Sequence, residues 1–454
     1  MRRRRLALAA SLALALALLG AAQAGANPTA ASTSKPRLQH LVVIYLENHS
    51  FDNLYGQFPG ANGLSHADPA HTTQVDLNGV PFATLPQTDP NIPAGLPNAP
   101  FSIEQYVPAD QKTRDLVHRY YQEQVQIDGG RNDKFTAVSD AAGLTQGYYT
   151  TANLPLAALA KQYTLADDFF MGAFGGSFLN HQWLACACTP TFPGAPDAIR
   201  TQLDPATGLP VAGHDGIVTA TGDWAVNTAF TVNTPHPAGY PTANLLPEQT
   251  APTIGDRLSA KGLSWAWYSG GWDNALAGTP DPLFQFHHQP FAYFANFADG
   301  TPGRAAHLKD ETAFTAAAQA GTLPAVSFVK PIGEDNEHPG YTDLIRGEQH
   351  TIDLINAIRN GPDWNDTAIV VTYDENGGFW DHVSPPKIDQ WGPGNRVPTL
   401  VISPLAKRHF IDHTRYDTTS ILALIEERWS LKPLTSRDAH ANDLRNAFLP
   451  HAIN

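Results

Sequence analysis

The sequence predicts an α/β fold with a mostly parallel central sheet and helices on both of its faces. Two short runs, Leu38–Leu46 and Ala368–Val371, are rich in aliphatic and β-branched residues, as is typical of strands buried on both faces. Apolar runs of this kind alternate with stretches of helical spacing, which indicates strands joined by helical crossovers. We find no internal repeat with a period of about 20–50 residues, and this disfavours a solenoid.

The N-terminus has the three parts of a secretory signal peptide. Met1 is followed by four arginines, an apolar run from Leu6 to Leu19 and the small-residue motif Ala22-Gln23-Ala24. We predict a signal peptide over residues 1–24, a flexible leader over 25–37 and a folded domain over 38–454, in a periplasmic or secreted protein. The export route stays open, because the arginines do not form a full twin-arginine signal. No other stretch approaches the roughly 20 apolar residues of a membrane-spanning helix, so stable membrane insertion is not expected.

The amino-acid composition and net charge indicate a folded protein and disfavour some classes of partner. The 454 residues are 42% hydrophobic and 16% charged, enough for a large packed core and inconsistent with general disorder. Loss of the four signal arginines would take the net charge from −14 to −18. This acidity argues against nucleic acid as a partner. It does not exclude an acidic substrate, since a metal ion or clustered histidines can reverse the local field.

The remaining elements follow in chain order. Helices are predicted at Asp115–Gln124, early in 155–170, at Thr253–Leu258, at Ile352–Ile358 and at Asp417–Trp429, and strands at the end of 155–170, Leu263–Tyr268, Ala325–Val329 and Thr399–Ser403. The stretches 58–108 and 192–252 are dense in loop-forming residues and are predicted to be insertions. The two cysteines, Cys186 and Cys188, are so close that a disulfide would be strained, and we expect buried free thiols.

Acidic residues follow two of the predicted strands. Glu47 and Asn48 come after the first, and Asp374 and Glu375 come after the strand that ends near residue 371, just before Gly377-Gly378. Ligands bind at the carboxyl ends of parallel strands, and paired carboxylates there need a cation or shared protons. The alternative is a pair of strand ends capped by solvated acids.

Ser177 adds a fifth oxygen donor. The set Glu47, Asn48, Ser177, Asp374 and Glu375 contains three anionic groups and suits one divalent metal ion, with calcium, magnesium, manganese and zinc all open. Ser177 follows two glycines, and a serine beside a metal at a helix start can ionise and attack phosphorus. The alternative is that Asn48 and Ser177 only cap helices.

Four histidines complete the candidate site. His287 and His288 are consecutive, so both can face one site only from a loop; His338 precedes a turn, and His118 lies on a predicted helix. Such imidazoles could bind phosphoryl oxygens and protonate a leaving alcohol. The alternative for each is a satisfied core or surface histidine. His40, His49, His181 and His350 are left unassigned.

Five motifs together resemble the bacterial acid phosphatase and phospholipase C phosphoesterase family. They are Glu47–Asp52, Gly175–Asn180, Phe286–Pro290, Asn336–Tyr341 and Tyr373–Val383, and the resemblance extends from about Leu38 to Trp429. It implies an alkaline-phosphatase-like three-layer α/β sandwich with one active-site metal. Residues 38–454 would then form the phosphoesterase catalytic domain, with insertions at about 58–108 and 192–252.

The resemblance also assigns roles to matching residues. Glu47, Asn48, Asp374 and Glu375 would bind the metal, and Ser177 would be the metal-bound nucleophile. His118, His287, His288 and His338 would line the phosphate pocket, where Asn48 would also contact substrate. Asp381 and His382 would brace the metal ligands.

Three functions follow as hypotheses. The main one is an acid phosphatase that cleaves small phosphomonoesters through a phosphoserine intermediate. It is favoured because Ser177–Trp183 reads Ser-Phe-Leu-Asn-His-Gln-Trp, where the phospholipase C branch tends to have Thr or Ser followed by Pro-Asn-Arg-Leu-Tyr, and because of the His287-His288 motif. The alternative is a phospholipase C acting on phospholipid, with a lipid-contacting rim near Trp272 or Phe291–Phe294. The third is a non-catalytic periplasmic protein that binds metal or phosphate, which the exposed serine disfavours.

Overall fold

The fold is built around strand β1, His40–Leu46, in which six consecutive aliphatic or aromatic residues are fully buried. The computed structural model describes residues 37–453. The predicted signal peptide and, except for Arg37, the predicted leader lie outside the described residues. Burial of both faces of β1 matches its unbroken apolar sequence, because a parallel strand inside a sheet is covered on both sides.

The central sheet has eight strands. The strands of the described residues are β1 His40–Leu46, β2 Phe101–Ser102, β3 Gly147–Tyr148, β4 Thr164–Ala166, β5 Phe169–Phe170, β6 Thr191–Phe192, β7 Asp223–Trp224, β8 Trp265–Ser269, β9 Leu308–Asp310, β10 Val326–Lys330, β11 Thr367–Tyr373, β12 Thr399–Ile402, β13 Phe410–Asp412 and β14 Tyr416–Asp417. The sheet order is β13-β4-β12-β11-β1-β10-β8-β9. Only β12 is antiparallel to its neighbours in this sheet. The prediction of an α/β fold with a mostly parallel sheet is therefore confirmed.

The helices of the described residues are mostly short. They are α1 Phe51–Tyr55, α2 Pro69–Thr72, α3 Tyr120–Ile127, α4 Phe135–Val138, α5 Ala157–Gln162, α6 Ser177–Cys186, α7 Ile254–Ala260, α8 Trp272–Leu276, α9 Pro302–His307, α10 Glu311–Ala320, α11 Leu344–Arg359, α12 Thr418–Trp429 and α13 Ser436–His440. A capping box at Asp417 starts α12, where the helix was predicted. Within residues 37–453, no helix has the length and apolarity that crossing a bilayer requires.

Three sequence expectations are corrected. The predicted helix at Asp115–Gln124 begins only at Tyr120, because Arg119 is extended and the His118 ring bonds back to the Leu116 carbonyl. Cys186 and Cys188 form a disulfide rather than free thiols, since the left-handed Ala187 between them brings their Cα atoms to 5.1 Å.

The residues predicted to form a lipid-contacting rim are buried instead. Trp272 and the aromatic residues Phe291 and Phe294 are at most 2% exposed and belong to the core. The stretches 58–108 and 192–252 carry only turns, short helices and two-residue strands. Their status as insertions stays a prediction.

Candidate active site

Two adjacent parallel strands deliver the acidic residues to one place. Strands β1 and β11 pair in register, with Leu46 opposite Tyr373, so Glu47 and Asp374 leave the sheet side by side. Asn48 and Glu375 come next, and all four of these polar side chains are fully buried. The Asp374 N–H donates to the Leu46 carbonyl at 3.1 Å, which fixes the spacing of the two strand ends. We refer to Glu47, Asn48, Ser177, Asp374 and Glu375 as the oxygen cradle.

The turn after β11 passes unusually close to the turn after β1. Asn48 has a φ of +84°, and Gly377 has a φ of +62°. A Cβ at Gly377 would lie 2.1 Å from the Asn48 carbonyl oxygen. Only glycine therefore permits this approach, which brings the two halves of the cradle together.

Ser177 lies at the first residue of α6 and completes the cradle. Its hydroxyl lies 3.2 Å from Glu47 Oε2 and 3.4 Å from Asn48 Oδ1, and can donate to either. The preceding turn is held by Glu123, whose Oε2 accepts from the Gly175 N–H at 2.5 Å. No side chain in the described part of the chain caps α6, so its first turn is available to an anion.

The cradle fits a hard divalent cation. Neither Asp374 Oδ2 nor Glu375 Oε1 has a hydrogen-bond partner among residues 37–453, although both are buried. Burial, together with the charge of Glu47, raises the pKa of both carboxyl groups well above the ordinary range. Unpaired buried carboxylates are costly, and a bound cation would remove that cost. Oxygen donors of this type are the ligands that calcium, magnesium and manganese prefer.

A second grouping of possible ligands overlaps the cradle. Ligand atoms of Glu47, His181 and His288 lie within 4.8 Å of one another. However, the buried Lys330 ammonium lies 2.7 Å from Glu47 Oε1 and supplies positive charge on the side that faces His288, whereas Glu47 Oε2 faces Ser177 of the oxygen cradle. We therefore favour the oxygen cradle as the metal site.

The predicted histidines surround the cradle. His288 Nε2 lies 2.5 Å from Glu47 Oε1, and His338 Nε2 lies 3.6 Å from Glu47 Oε2. His118 Nε2 accepts from the Asn48 amide at 3.4 Å. His287 packs edge-on to His288, with 4.7 Å between ring centroids, and both lie in a single turn of 3₁₀ helix rather than a strand.

His287, His288 and His338 are harder to protonate than a free imidazole. Burial lowers the pKa of His287 and His338, and lowers the pKa of His288 to about 4 despite the attraction of Glu47. Burial also opposes the charge of Glu47, but His288 and Lys330 outweigh it and hold the pKa of that carboxyl well below its usual range. Before substrate binds, burial thus favours the neutral forms of His287, His288 and His338, and the ammonium of Lys330 favours the anionic form of Glu47.

A polar pocket of about 340 Å³ opens above Ser177. Its walls include His118, His287 and His338, together with Tyr341, whose ring stacks on His338 at 3.9 Å. His338 donates from Nδ1 to the Pro339 carbonyl at 2.6 Å, which leaves its Nε2 free for substrate. The structure thus places the predicted nucleophile at the base of a cavity lined by three of the four predicted histidines.

Sequence reasoning missed Glu123, Lys330 and Tyr341 around the site, and left His181 unassigned or supporting. Lys330 ends β10 next to β1 and had a sequence signal, because a charged residue follows the apolar run Val326–Val329 just as Glu47 follows β1. His181 is one turn along α6 and donates from Nδ1 to the Ser177 carbonyl at 2.7 Å. Glu123 reaches the site only through tertiary packing.

Asp381 and His382 do not join the cradle. Arg396, fully buried, bonds both oxygens of Asp381 at 2.9 and 3.1 Å and reaches Asp52 at 3.3 Å. His382 donates from Nδ1 to Asp52 Oδ2 at 2.6 Å. This network ties the segment after Asn48 to the loop after Glu375, consistent with the predicted bracing role.

Two further buried acids lie behind His338. Glu337 has a φ of +75° and accepts a 2.6 Å hydrogen bond from the Tyr373 hydroxyl. Glu348 on α11 accepts from the Leu156 N–H at 2.6 Å. Burial and the charge of Glu348 raise the pKa of Glu337, and burial raises the pKa of Glu348 to about 8.

The chain is similar to known proteins over most of its length. The model of the Phosphoesterase family matches residues 38–432. Phospholipase C A of Mycobacterium tuberculosis is 27% identical over 90% of this chain and 77% of its own length. Non-hemolytic phospholipase C of Pseudomonas aeruginosa is 25% identical over 90% of this chain and 57% of its own length. Among solved structures, an alkaline phosphatase superfamily protein from Vibrio parahaemolyticus covers 79% of this chain and 72% of its own at 10% identity, with a TM-score of 0.34.

Proposed function

The chain belongs to the phosphoesterase family, and we propose that it is a metal-dependent phosphodiesterase of the phospholipase C type, with Ser177 as nucleophile. It is a phosphoric ester hydrolase by family. The finer proposal is supported by the relatives from Mycobacterium tuberculosis and Pseudomonas aeruginosa, both named as phospholipases C. Acid phosphatase, the main prediction from sequence, becomes the second candidate; it is retained because of the divergent Phe178–His181 segment.

The observation that carries the chemistry is the position of the Ser177 hydroxyl. It lies at an uncapped helix start, within 3.4 Å of Glu47 and Asn48 oxygens and beneath the polar pocket. Glu47, Asn48, Ser177, Asp374 and Glu375 would hold the divalent cation. When bound, the cation supplies positive charge that favours the serine alkoxide and the phosphoryl oxygens.

The chain's own groups then account for the remaining chemistry. Ser177 Oγ attacks phosphorus, and its proton is directed toward the anionic Glu47 Oε2. Glu47 Oε2 passes this proton to His338 Nε2, which lies 3.6 Å away and lines the pocket, and the leaving alcohol oxygen takes it from there as its ester bond to phosphorus breaks. Water then attacks phosphorus and displaces Ser177 Oγ, which takes back a proton from that water as the phosphorylated headgroup is released. In both His118 and His338, a backbone carbonyl accepts a hydrogen bond from Nδ1, so Nε2 faces the site.

The proposal is tested by product identity. The enzyme is incubated with phosphatidylcholine and, separately, with an aryl phosphate monoester, over a pH series and with the metal content measured on the same sample. We expect diacylglycerol and phosphocholine from the lipid, with little inorganic phosphate. Rapid monoester turnover with an inert diester would establish the acid phosphatase. Phosphate binding without turnover of either ester would establish the non-catalytic binding protein.

We also propose that the protein is exported. The support is the signal-like sequence of residues 1–24, which lie outside the described residues. Expression of the full chain in a bacterial host, followed by N-terminal sequencing of the protein outside the cytoplasm, should give a start at Gly25. Recovery of the intact N-terminus from the cytoplasm alone would contradict export.

A further inference from the structure

A second cavity lies beside the catalytic pocket and has the opposite character. It encloses about 560 Å³, against about 340 Å³ for the catalytic pocket. Aromatic side chains form its walls: Tyr120, Tyr121, Phe174, Trp224 and Trp391. We call it the aromatic groove. Its size falls in the range of pockets that bind organic ligands.

The aromatic residues form a continuous surface. The ring centroids of Trp224 and Trp391 are 5.2 Å apart, those of Tyr120 and Trp391 are 6.0 Å apart, and those of Tyr120 and Phe174 are 6.3 Å apart. The Tyr120 hydroxyl donates to the Gln390 carbonyl at 2.8 Å, which holds Tyr120 against the loop that carries Trp391. Trp224 and Trp391 are half-buried in the free protein, so they expose apolar surface that a ligand could cover.

The aromatic groove adjoins the catalytic pocket along two chain segments, whose neighbouring residues line one cavity and then the other. His118 and Arg119 line the pocket, and the next residue, Tyr120, lines the groove. Phe174 lines the groove, and Ser177 lies three residues further on, at most about 11 Å away along the chain. A single substrate can therefore place its phosphorus at Ser177 and an attached chain in the groove.

One aliphatic side chain beside the groove is exposed. Ile388 lies between the lining residues Lys387 and Asp389, on the loop that carries Trp391, and is 55% exposed. Of the two charged residues that line the groove, Asp389 is paired with Arg437 at 3.0 Å and Lys387 is exposed. The catalytic pocket, by contrast, is small and polar and offers no comparable surface to hydrocarbon.

We infer that the aromatic groove binds the apolar leaving group of the substrate, the acyl-chain portion of a diacylglycerol, while the phosphorylated headgroup occupies the catalytic pocket. This assignment rests on the proposed phosphodiesterase function. The aromatic groove thus takes the lipid-contacting role that the sequence analysis gave to Trp272 and Phe291–Phe294, which are buried, and it lies next to the nucleophile. Trp224, Trp391 and Ile388 then determine preference for acylated substrates without taking part in bond cleavage.

The direct test is binding of dihexanoylglycerol, a short-chain diacylglycerol without phosphate, measured by calorimetry. Each buried methylene contributes about fourfold to affinity, so removing a wall that covers two or three methylenes should weaken binding at least about tenfold. We expect that loss in Trp224→Ala and in Trp391→Ala. Ile388→Asp, an exposed change that should not affect folding, places a charge at the rim and should weaken binding similarly. Trp429→Ala, at a half-buried tryptophan of α12, is the matched control and should bind as the wild type does.

A turnover measurement separates this inference from the proposed function. The ratio of kcat/KM for dihexanoylphosphatidylcholine to that for glycerophosphocholine, which has no acyl chains, should fall at least about tenfold in the three groove variants. Absence of lipid turnover in the wild type would refute the proposed function. The binding of dihexanoylglycerol would still show whether the aromatic groove holds the acyl chains. No binding by the wild type, or equal binding by wild type and all three groove variants, would overturn the groove assignment.

Discussion

Replacement of Glu348 by glutamine should change how the stability of the protein depends on pH. Glu348 is fully buried on α11, and its Oε1 has no hydrogen-bond partner among the described residues. Glu337, another buried acid, lies close enough for the charge of Glu348 to raise its pKa. Glutamine has nearly the same shape, and its carbonyl oxygen can keep the 2.6 Å hydrogen bond from the Leu156 N–H. The substitution therefore removes a titration while largely preserving the packing.

The magnitude follows from the pKa. Burial raises the pKa of Glu348 from an ordinary 4.5 to about 8 in the folded protein. The folded state therefore holds a proton that the unfolded state has released, and stability falls as pH rises. The favourable contribution is fully present below about pH 4.5 and is lost as the pH rises through about 8. At about 1.4 kcal/mol per pH unit, the loss amounts to about 5 kcal/mol.

The assay is urea unfolding of the wild type and Glu348→Gln at intervals from pH 5 to pH 9. We expect the unfolding free energy of both proteins to fall as pH rises, because other buried acids such as Glu337 still titrate, but the fall should be several kcal/mol smaller in Glu348→Gln than in the wild type. Glu248→Gln, at an exposed position, serves as the control and should follow the wild type. Parallel pH profiles for the wild type and Glu348→Gln would refute the reasoning, because they would show that Glu348 does not titrate in this window.

Three further predictions concern the site and its support. Ser177→Ala should lower kcat by about 10⁴-fold or more while the thermal melting curve is preserved, and retained turnover would remove Ser177 as nucleophile. Asp374→Asn should weaken metal binding by about 100-fold or more in a direct metal titration, and chelation of the wild type should abolish activity that added divalent cation restores; full activity in a verified metal-free sample would contradict this. Arg396→Leu should cost about 3–5 kcal/mol of unfolding free energy, because it leaves Asp381 buried and unpaired. The exposed Arg346→Leu, which loses only its surface pair with Asp335, should cost less than about 1 kcal/mol.

The parts of the fold that were predictable are those with a local signal. Strands β1 and β11 were predicted from their runs of apolar residues, and acidic residues directly follow each run in the sequence. Parallel pairing then follows from the α/β pattern, so the meeting of Glu47 with Asp374 needed no knowledge of distant contacts. The helix at Asp417 was equally predictable, because its amphipathic pattern is carried by neighbouring residues.

The features that were missed depend on contacts between distant segments. Lys330 follows the predicted strand Ala325–Val329, but its connection to the site depends on the pairing of β10 with β1. Glu123 lies on α3 with no motif around it, and only the packing of α3 brings its carboxylate to Gly175. His118 was assigned to a helix by local spacing, but a side-chain hydrogen bond to the Leu116 carbonyl competes with helix formation there. Aromatic content alone could not distinguish the core residue Phe291 from the half-buried Trp391.

The in-register pairing of Leu46 with Tyr373 also has a consequence for how the chain folds. The two halves of the oxygen cradle come from positions roughly 330 residues apart, so the cradle exists only after one of the longest-range contacts in the chain has formed. A cation therefore cannot nucleate folding from either half, because neither half offers the complete set of donors. Metal uptake should be a late event that reports completed assembly, and a chain that stops before Thr367 would carry Glu47 and Asn48 without their partners.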